Sequence, residues 1–556
     1  MLVEPSDKKV RDRKFGFLKS WWGIIYIIIV SYALIVMTVF PKWTVDDAYI
    51  LYRYAHNLAD HSELTWNVGE DPIEGYTGIA LPVILALFAK LGISPLVMSK
   101  IIGIIFYFVS GFVLHLLLRK LKVQRLAHAI VLILYFTAPF NFVHAWSGME
   151  TTFFGAILLV CIYALFSNLT PSDKRGPKEA GLILLLLFAG FVRPEGVILA
   201  VMSFIALAYY KRKYDRNEFW RFIVRFCILF VIPGFIYFIC RWQYYGQFFP
   251  NTFYAKDSPT IFEKWSIIKL AIFSIFYLAI PTIGCIILNS INLKAVIAQV
   301  KGRYSFLMKP EFLIAGFAVL AFAVLVNFQY LRSRLLMNFE FRFFVPFFSI
   351  SLIFLGVFLS LGFHALKEVR HNKPMMYRII GTATIILFAV QLLVNVNQLK
   401  KYVYLKTAYK SMIDEEHIPA GTFLRESVPS DEWLIVIHDT GAIPYYSGLK
   451  TVDFSRLNDE VLLKKDLSTS EILDYFYSFN AGAVVITSYE WDKIHQPWIY
   501  GPEAELIASD PRFEQYVLVK KYKADVPPES PAHDYFLFLF LRKDLSELLD
   551  APLTNS

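Results

Sequence analysis

Apolar runs long enough to cross a lipid bilayer recur along this 556-residue chain between Trp21 and about Val396. A transmembrane helix needs roughly 20 consecutive apolar residues, because the bilayer core offers no water to an exposed backbone. After Leu399 the runs stop, and 25 acidic residues face 16 Lys and Arg. The sequence therefore predicts an α-helical polytopic membrane domain over residues 1–399 and a soluble, acidic domain over 400–556.

Basic loops between the apolar runs predict the topology. Cytoplasmic loops are enriched in Lys and Arg, so the basic segment 1–20 is expected inside the cell. The apolar run 79–91 is short for a span and is expected to lie in the membrane interface. The predicted spans, about eleven, are 22–40, 96–118, 126–145, 151–168, 180–192, 196–210, 222–240, 266–288, 311–331, 343–363 and 376–396. This count places the first outer loop, 41–94, and the tail on the periplasmic side of a bacterial plasma membrane.

The tail alternates short apolar runs with helical patterns, which is typical of a small α/β domain. Its predicted strands are Trp433–Ile437, Ala483–Thr487, Tyr516–Lys520 and Tyr535–Leu541, and its predicted helices are 470–479 and 502–509. An acidic exposed domain argues against nucleic acid as a partner, because nucleic-acid binding needs a basic patch. The positive charge lies in the membrane half, where membrane lipids are the expected surroundings.

Two adjacent acids, Asp46 and Asp47, open a predicted helix in the first outer loop. Thr44 with Asp47 three residues later has the pattern of a capping box, which predicts that the helix begins there. A carboxylate on a helix at the bilayer surface is a candidate for chemistry at the lipid–water boundary. The alternative is an ordinary surface helix with a capped N-terminus.

Cations on the same outer side are candidates for binding a lipid phosphate. Lys256 ends an aromatic-rich segment that begins at Arg241, and Arg332, Arg334 and Arg342 follow a later span. Arginines on the outer side run against the positive-inside bias, so they call for an anionic partner. The alternatives are an interfacial aromatic belt around Lys256, and pairing of the arginines with Glu340 or with lipid headgroups.

Three other polar segments have structural explanations beside functional ones. Arg193 and Glu195 lie between two half-length apolar runs, where a mutual salt bridge is the stronger interpretation. Glu74 is a candidate for binding sugar hydroxyls or for capping the next helix. The turn from His438 to Gly448 offers backbone amides and aromatic rings to a sugar, or simply joins a strand to a helix.

Taken in order, these motifs resemble a family of bacterial GT-C glycosyltransferases that includes the mycobacterial terminal β-(1→2)-arabinofuranosyltransferases of cell-wall arabinan. The resemblance spans nearly the whole chain and rests on Asp46-Asp47, Arg53, Trp66-Asn67, Glu74 to Thr77, Gly148 to Thr151, Arg193 to Gly196, Pro250 to Lys256, Arg342 with Pro346, and Asp439 to Gly448. It implies a polyprenyl-phosphate donor of arabinofuranose or a related pentose, and a glycan acceptor on the periplasmic face. It also implies that an acid of the first outer loop, Asp46 or Asp47, is catalytic.

Within this resemblance, Asp46 is expected to orient or deprotonate the acceptor hydroxyl, while Asp47 serves the helix cap. Lys256 and Arg342, with Arg332 or Arg334, are expected to hold the donor phosphate. The expected sugar- and acceptor-binding residues are Arg53, Glu74, Tyr76, Glu150, Asn251, His438 and Asp439. No cofactor is indicated, and a divalent metal held by Asp46, Asp47 and Glu150 stays open.

Transporters and flippases of lipid-linked envelope precursors are the competing class. They place charged or broken-helix elements near the bilayer midplane, often in paired repeats. The polar candidates in this sequence instead cluster on one outer face, and no internal repeat is visible. A purely structural assembly protein would not need acids and arginines that converge at one interface. The pattern therefore favours an enzyme.

Overall fold

The computed structural model describes residues 21–169, 175–214, 216–256, 263–290, 292–335, 337–464, 466–496 and 503–550. The basic N-terminal segment 1–20 and Lys174, in the loop after the predicted span 151–168, lie outside these ranges.

Helices make up the first three quarters of the chain. Those of the first half are α1 (Trp21–Val39), α2 (Asp46–His61), α3 (Ala80–Lys90), α4 (Pro95–Lys120), α5 (Arg125–Thr137), α6 (Pro139–Trp146), α7 (Thr151–Leu169), α8 (Arg175–Val192), α9 (Glu195–Tyr214), α10 (Arg216–Phe226), α11 (Ile232–Tyr245) and α12 (Asn251–Tyr254). Those that follow are α13 (Lys264–Ser274), α14 (Ile280–Ser290), α15 (Leu293–Lys301), α16 (Pro310–Arg332), α17 (Val345–Asn372), α18 (Pro374–Met412) and α19 (Ile418–Ser427). Single π-helical segments, Cys227–Val231, Ile275–Ala279 and Ile413–His417, continue α10 into α11, α13 into α14, and α18 into α19. Short 3₁₀ turns occur at Ser305–Met308 and Phe339–Phe341.

Seven helical stretches in the described ranges are long and apolar enough to cross a membrane, or eight if α5 and α6, bent by 47°, form one span. All of them coincide with predicted spans, and α1, α8 and α9 occupy the other three. The predicted interfacial run is α3, which at 11 residues is too short to cross a hydrocarbon core of roughly 30 Å. The chain is thus a multi-pass membrane protein.

The predicted half-length runs around Arg193 are complete helices, α8 with 18 residues and α9 with 20. They extend beyond their apolar centres because buried charges at their far ends are paired. Lys211 Nζ lies 2.7 Å from Glu179 Oε2, and both side chains are almost fully buried. Only Arg193 and Pro194 interrupt the two helices, and Pro194 cannot continue α8 because its ring removes a backbone donor.

Helix α2 begins at Asp46 with Val45 as N-cap, and no side chain caps it. The predicted Thr44–Asp47 capping box is therefore wrong. The backbone N–H of Asp46 instead donates to the Tyr409 hydroxyl at 3.1 Å, which gives this free N-terminal donor a partner from α18. The apolar face of α2, which carries Ile50 and Leu51, packs on the bundle, and the face that carries Tyr49 and Arg53 is buried too, beneath the C-terminal domain.

The C-terminal domain contains a five-stranded sheet in the order β2-β1-β3-β5-β4. Its elements are β1 (Trp433–Ile437), α20 (Ala442–Ser447), β2 (Lys450–Asp453), α21 (Glu460–Lys464), α22 (Thr469–Ser478), β3 (Ala483–Ser488), α23 (Glu503–Ser509), a 3₁₀ turn (Pro511–Gln515), β4 (Tyr516–Tyr522), β5 (Phe536–Arg542) and α24 (Lys543–Asp550). Strands β2, β1 and β3 run parallel, and β5 is antiparallel to both β3 and β4.

All four predicted strands and both predicted helices of this domain are confirmed. Strand β2 was not predicted, because Lys450-Thr451-Val452-Asp453 has neither length nor alternation to mark it. This strand is stabilised by parallel pairing with β1 at the edge of the sheet, where Val436 lies opposite Asp453. The predicted domain boundary between residues 399 and 400 falls inside α18, so one helix runs from the apolar bundle into the domain.

Candidate active site

A cleft of about 660 Å³, counted with its open mouth, lies beside the first turn of α2. Its charged lining residues are Asp47, Glu150, Lys256 and Arg342. They come from α2, the turn before α7, the segment after α12, and the turn before α17. Residues far apart in sequence therefore bring two carboxylates and two cations to one opening. Neutral residues complete the lining, among them Tyr76, Thr77, Thr252, Met149, Met337 and Leu457.

Arg342 and Asp47 face each other across this cleft. The guanidinium Nη1 of Arg342 lies 3.5 Å from Asp47 Oδ2, and the Arg342 side chain is only 7 % exposed. Its Nε and Nη1 are buried and make no hydrogen bond within the described parts of the chain. A buried guanidinium with unused donors is costly unless a ligand completes it. Glu340, the alternative partner considered for Arg342, instead lies 3.0 Å from Lys406 Nζ.

Three cations surround the ring of Phe343. Its centroid lies 5.0 Å from Cζ of Arg342, 5.2 Å from Cζ of Arg193 and 5.2 Å from Nζ of Lys256. Burial, helped by Arg193 and Arg342, lowers the pKa of Lys256 to about 8. Such a cluster suits a multiply charged oxyanion such as a phosphate. No sequence pattern predicted that the Phe343 ring would lie among three cations, because those cations come from distant parts of the chain.

Arg193 is held by acids on both sides. Its Nη2 lies 2.8 Å from Glu195 Oε1, which confirms the predicted mutual salt bridge. Its Nη1 pairs with Glu150, and the Tyr330 hydroxyl donates to Glu195 Oε1 at 2.6 Å. Glu150 therefore lines the cleft while it shares the Arg193 guanidinium with Glu195.

Asp46 points away from the cleft into the C-terminal domain. Its side chain is buried, and its Oδ1 accepts the backbone N–H of Ala442 at 2.8 Å. The contact is so close that a Cβ on Gly441 would lie 2.0 Å from the Asp46 carbonyl oxygen. Burial, followed by the charge of Asp439, raises the pKa of Asp46 well above its usual value. The structure thus separates the two acids, with Asp47 in the cleft and Asp46 at the domain contact.

Several predicted sugar-binding residues are occupied in structural contacts. Arg53 stacks 4.4 Å from the Trp66 ring centroid and donates to Trp66 O, Asn67 Oδ1, Pro444 O and Leu449 O at 2.8–2.9 Å. Glu74 pairs with buried Arg241, and its backbone carbonyl accepts the Asn251 N–H at 3.1 Å. The buried Asn251 side chain donates to Leu457 O at 3.2 Å. These contacts join the outer loop to the rest of the protein.

The remaining predicted residues divide between the cleft and other places. Tyr76 lines the cleft, with its hydroxyl 2.9 Å from that of Tyr245. His438 Nε2 lies 3.0 Å from Gln496 Oε1, and Asp439 accepts a hydrogen bond from the Tyr535 hydroxyl, so both belong to the C-terminal domain. Arg332 and Arg334 are exposed and do not line the cleft, although the Arg334 backbone N–H donates to Lys256 O at 2.9 Å.

The three carboxylates considered for a divalent metal do not converge. Asp46 faces Ala442, Asp47 faces Arg342, and Glu150 faces Arg193. Among the residues that the structure describes, no group of three His, Cys, Asp or Glu side chains could hold a metal ion. The residues present therefore do not fit the metal site considered from the sequence.

Solved structures share this architecture along nearly the whole chain. ArnT from Cupriavidus metallidurans, bound to undecaprenyl phosphate, superposes with a TM-score of 0.55 at 12% identity, over 92% of this chain and 97% of that one. The archaeal oligosaccharyltransferase AglB from Archaeoglobus fulgidus, in complex with an inhibitory peptide and a dolichol-phosphate, superposes with a TM-score of 0.50 at 13% identity, over 92% and 75%. The chain has the GT-C fold. This confirms the predicted fold class, a polytopic helical domain followed by a small α/β domain.

Sequence comparison gives a family model for the C-terminal part of the chain. Residues 407–538 match a family model described as a domain of unknown function, DUF8728, which covers much of the C-terminal domain. None of the curated proteins matches the sequence. Membership of the arabinofuranosyltransferase family stays a prediction.

Proposed function

We propose that this GT-C protein is a membrane glycosyltransferase that moves a sugar from a polyprenyl-phosphate donor to a cell-envelope glycan. The observation that carries the proposal is the meeting of the Asp47 carboxylate with Arg342 and Lys256 in one cleft. The solved structure of ArnT is bound to undecaprenyl phosphate and that of AglB is in complex with a dolichol-phosphate, which supports a lipid-phosphate donor here.

In this proposal Arg342 and Lys256 bind the donor phosphate. As the bond between the anomeric carbon and the phosphate oxygen breaks, negative charge grows on the phosphate, and the two cations stabilise it. The acceptor hydroxyl forms the new bond to the anomeric carbon and gives its proton to Asp47. Burial raises the pKa of Asp47 even though Arg342 opposes the shift. A higher pKa makes its ionised form a stronger base.

The sugar and the side of the membrane are finer parts of the proposal. The order of the motifs from Asp46 to Gly448 supports arabinofuranose or a related pentose as the transferred sugar. The basic loops support a cleft and C-terminal domain that face the periplasm.

Removal of Arg342 tests the donor site, with Arg332 as matched control because it is an exposed arginine of the same region. A charged hydrogen bond contributes roughly 1.5–3 kcal/mol, so Arg342→Ala should weaken use of a radiolabelled polyprenyl-phosphate arabinose about 10- to 100-fold. Arg332→Ala should transfer sugar like the unaltered protein. Equal donor dependence in both variants would contradict the assignment of Arg342.

Cysteine labelling in intact cells tests the orientation, in a chain whose native cysteines have been replaced. An impermeant thiol reagent should modify Ser430→Cys in the C-terminal domain and leave Lys122→Cys, in the loop between α4 and α5, unmodified until the cells are opened. The reverse pattern would invert the topology.

A further inference from the structure

A second cleft lies between the later turns of α2 and the C-terminal domain. It measures about 1170 Å³ with its open mouth. Helix α2 contributes His56 and His61 to its lining, while the C-terminal part of the chain contributes Arg425, Tyr445, Tyr446 and Lys450. The same helix that presents Asp47 to the first cleft therefore forms one wall of the second.

Aromatic rings form one wall of the second cleft. Tyr445 and Tyr446 stand at 88° to each other with centroids 5.1 Å apart. Tyr49 of α2 supports both rings at 5.6 and 5.7 Å, and the Tyr445 hydroxyl lies 2.9 Å from His56 Nε2. Rings held in this way offer rigid amphipathic surfaces at little cost in conformational entropy. Such surfaces suit the faces of sugar rings.

The charge of the second cleft is positive. Among the described residues, no Asp or Glu lines it, whereas Arg53, Arg425 and Lys450 do. Asp60 lies 3.5 Å from His56, and Glu70 pairs with Lys450 and so balances the charge of that lysine. Four of the five N–H groups of Arg53 already donate to protein oxygens, so this residue supports the cleft rather than binding a ligand. Arg425 is exposed and makes no ion pair with any described residue, which leaves its guanidinium for an anion.

We propose that the second cleft binds an anionic stretch of the acceptor glycan, with carboxylate or phosphate groups on Arg425 and sugar rings on Tyr445 and Tyr446. The proposal rests on the proposed function. Nine helical positions separate Asp47 from His56, a rise of about 14 Å and about half a turn around the helix axis. The bound glycan must therefore also pass around α2, a path that an extended oligosaccharide of several rings can cover while its end reaches the first cleft. Affinity for the acceptor is then set partly away from the reacting bond, where it raises binding without altering the chemistry.

Direct binding to the full-length protein in detergent tests the proposal. The probes are oligogalacturonate hexamer, which carries a carboxylate on every ring, and neutral maltohexaose. We expect saturable binding of oligogalacturonate that Arg425→Ala weakens about tenfold or more, with maltohexaose bound more weakly. The matched control is Arg456→Ala, an arginine of the same domain outside this lining, which should bind like the unaltered protein. Arg425 is exposed, so its replacement leaves the core intact.

The outcomes separate this proposal from the proposed function. No binding of oligogalacturonate, equal affinity for maltohexaose, or equal affinity in Arg425→Ala overturns the second cleft as a site for anionic glycans. Binding of undecaprenyl phosphate, measured on the same samples, should be weakened by Arg342→Ala and unchanged by Arg425→Ala. Loss of lipid binding in Arg425→Ala would mean that the arginine serves the donor, and would also overturn the proposal.

Discussion

The sharpest prediction from the structure concerns the two neighbouring acids, Asp46 and Asp47, each replaced by Asn. Asp47 lines the first cleft and lies 3.5 Å from Arg342, so Asp47→Asn removes the proposed base without changing its size. Asp46 bonds the backbone of Ala442, and Asn keeps an oxygen that can accept the same N–H. The two variants therefore differ in which surface of α2 loses a charge.

The contacts of each acid set the expected loss of sugar transfer in each variant. Loss of a general base slows turnover by about 10²- to 10⁴-fold, which we expect for Asp47→Asn. For Asp46→Asn an oxygen still accepts the Ala442 N–H, so we expect a loss of about 1 kcal/mol or less. Relief from the repulsion of Asp439, which together with burial raises the pKa of Asp46, opposes that loss. We therefore expect transfer within about tenfold of the unaltered protein for Asp46→Asn.

Transfer of labelled sugar by purified variants decides between these expectations, with thermal unfolding measured on the same samples. Because the pKa of Asp46 is raised in the folded protein, its contribution to stability is complete below the ordinary carboxyl pKa and is lost as the pH rises through the raised value. The Asn variant should lack that dependence. A loss of 100-fold or more in Asp46→Asn, in a protein that melts normally, with Asp47→Asn active, would refute this assignment.

Two further predictions concern Lys256 and Gly441. Since the pKa of Lys256 is about 8, kcat/KM for the donor should fall as the pH rises through that value. Lys256→Arg should move this fall in kcat/KM to higher pH. If the pH profiles of both proteins are the same, Lys256 does not belong to the phosphate site. Gly441→Ala would place a Cβ 2.0 Å from backbone of α2, so it should lower the unfolding temperature and sugar transfer, whereas Gly316→Ala, with no neighbouring atom within 4 Å, should change neither.

The sequence predicted the elements of this fold well because each is marked locally. Apolar length marks a span, as in α4 and α17, and a short β-branched or aromatic run marks a strand, as in β3 and β5. The candidate cations Lys256 and Arg342 could be found because the predicted topology places them in outer loops, which the positive-inside rule expects to be poor in basic residues. Each of these signals lies within a single segment of the chain.

The partners of the candidate residues could not be predicted, because they lie hundreds of residues away. The assignment of a cap to Asp47 and of chemistry to Asp46 followed from spacing within one turn of helix. The contact that places Asp46 comes from Ala442, 396 positions later. Arg53 likewise has the pattern of a surface residue until Pro444 and Leu449 are placed beside it.

The contacting residues lie far apart in sequence, which affects the order in which the site is assembled during synthesis. Arg53 on α2 bonds the carbonyl of Pro444, 391 residues further along the chain. The ribosome therefore synthesises α2, which carries Asp47, early, and the C-terminal residues Pro444 and Leu449 that bond α2 late. A chain that stops before residue 444 lacks two of the four acceptors that hold Arg53. We expect incomplete chains to leave the lipid-linked donor untouched, so that biosynthesis itself delays activity until the last domain is in place.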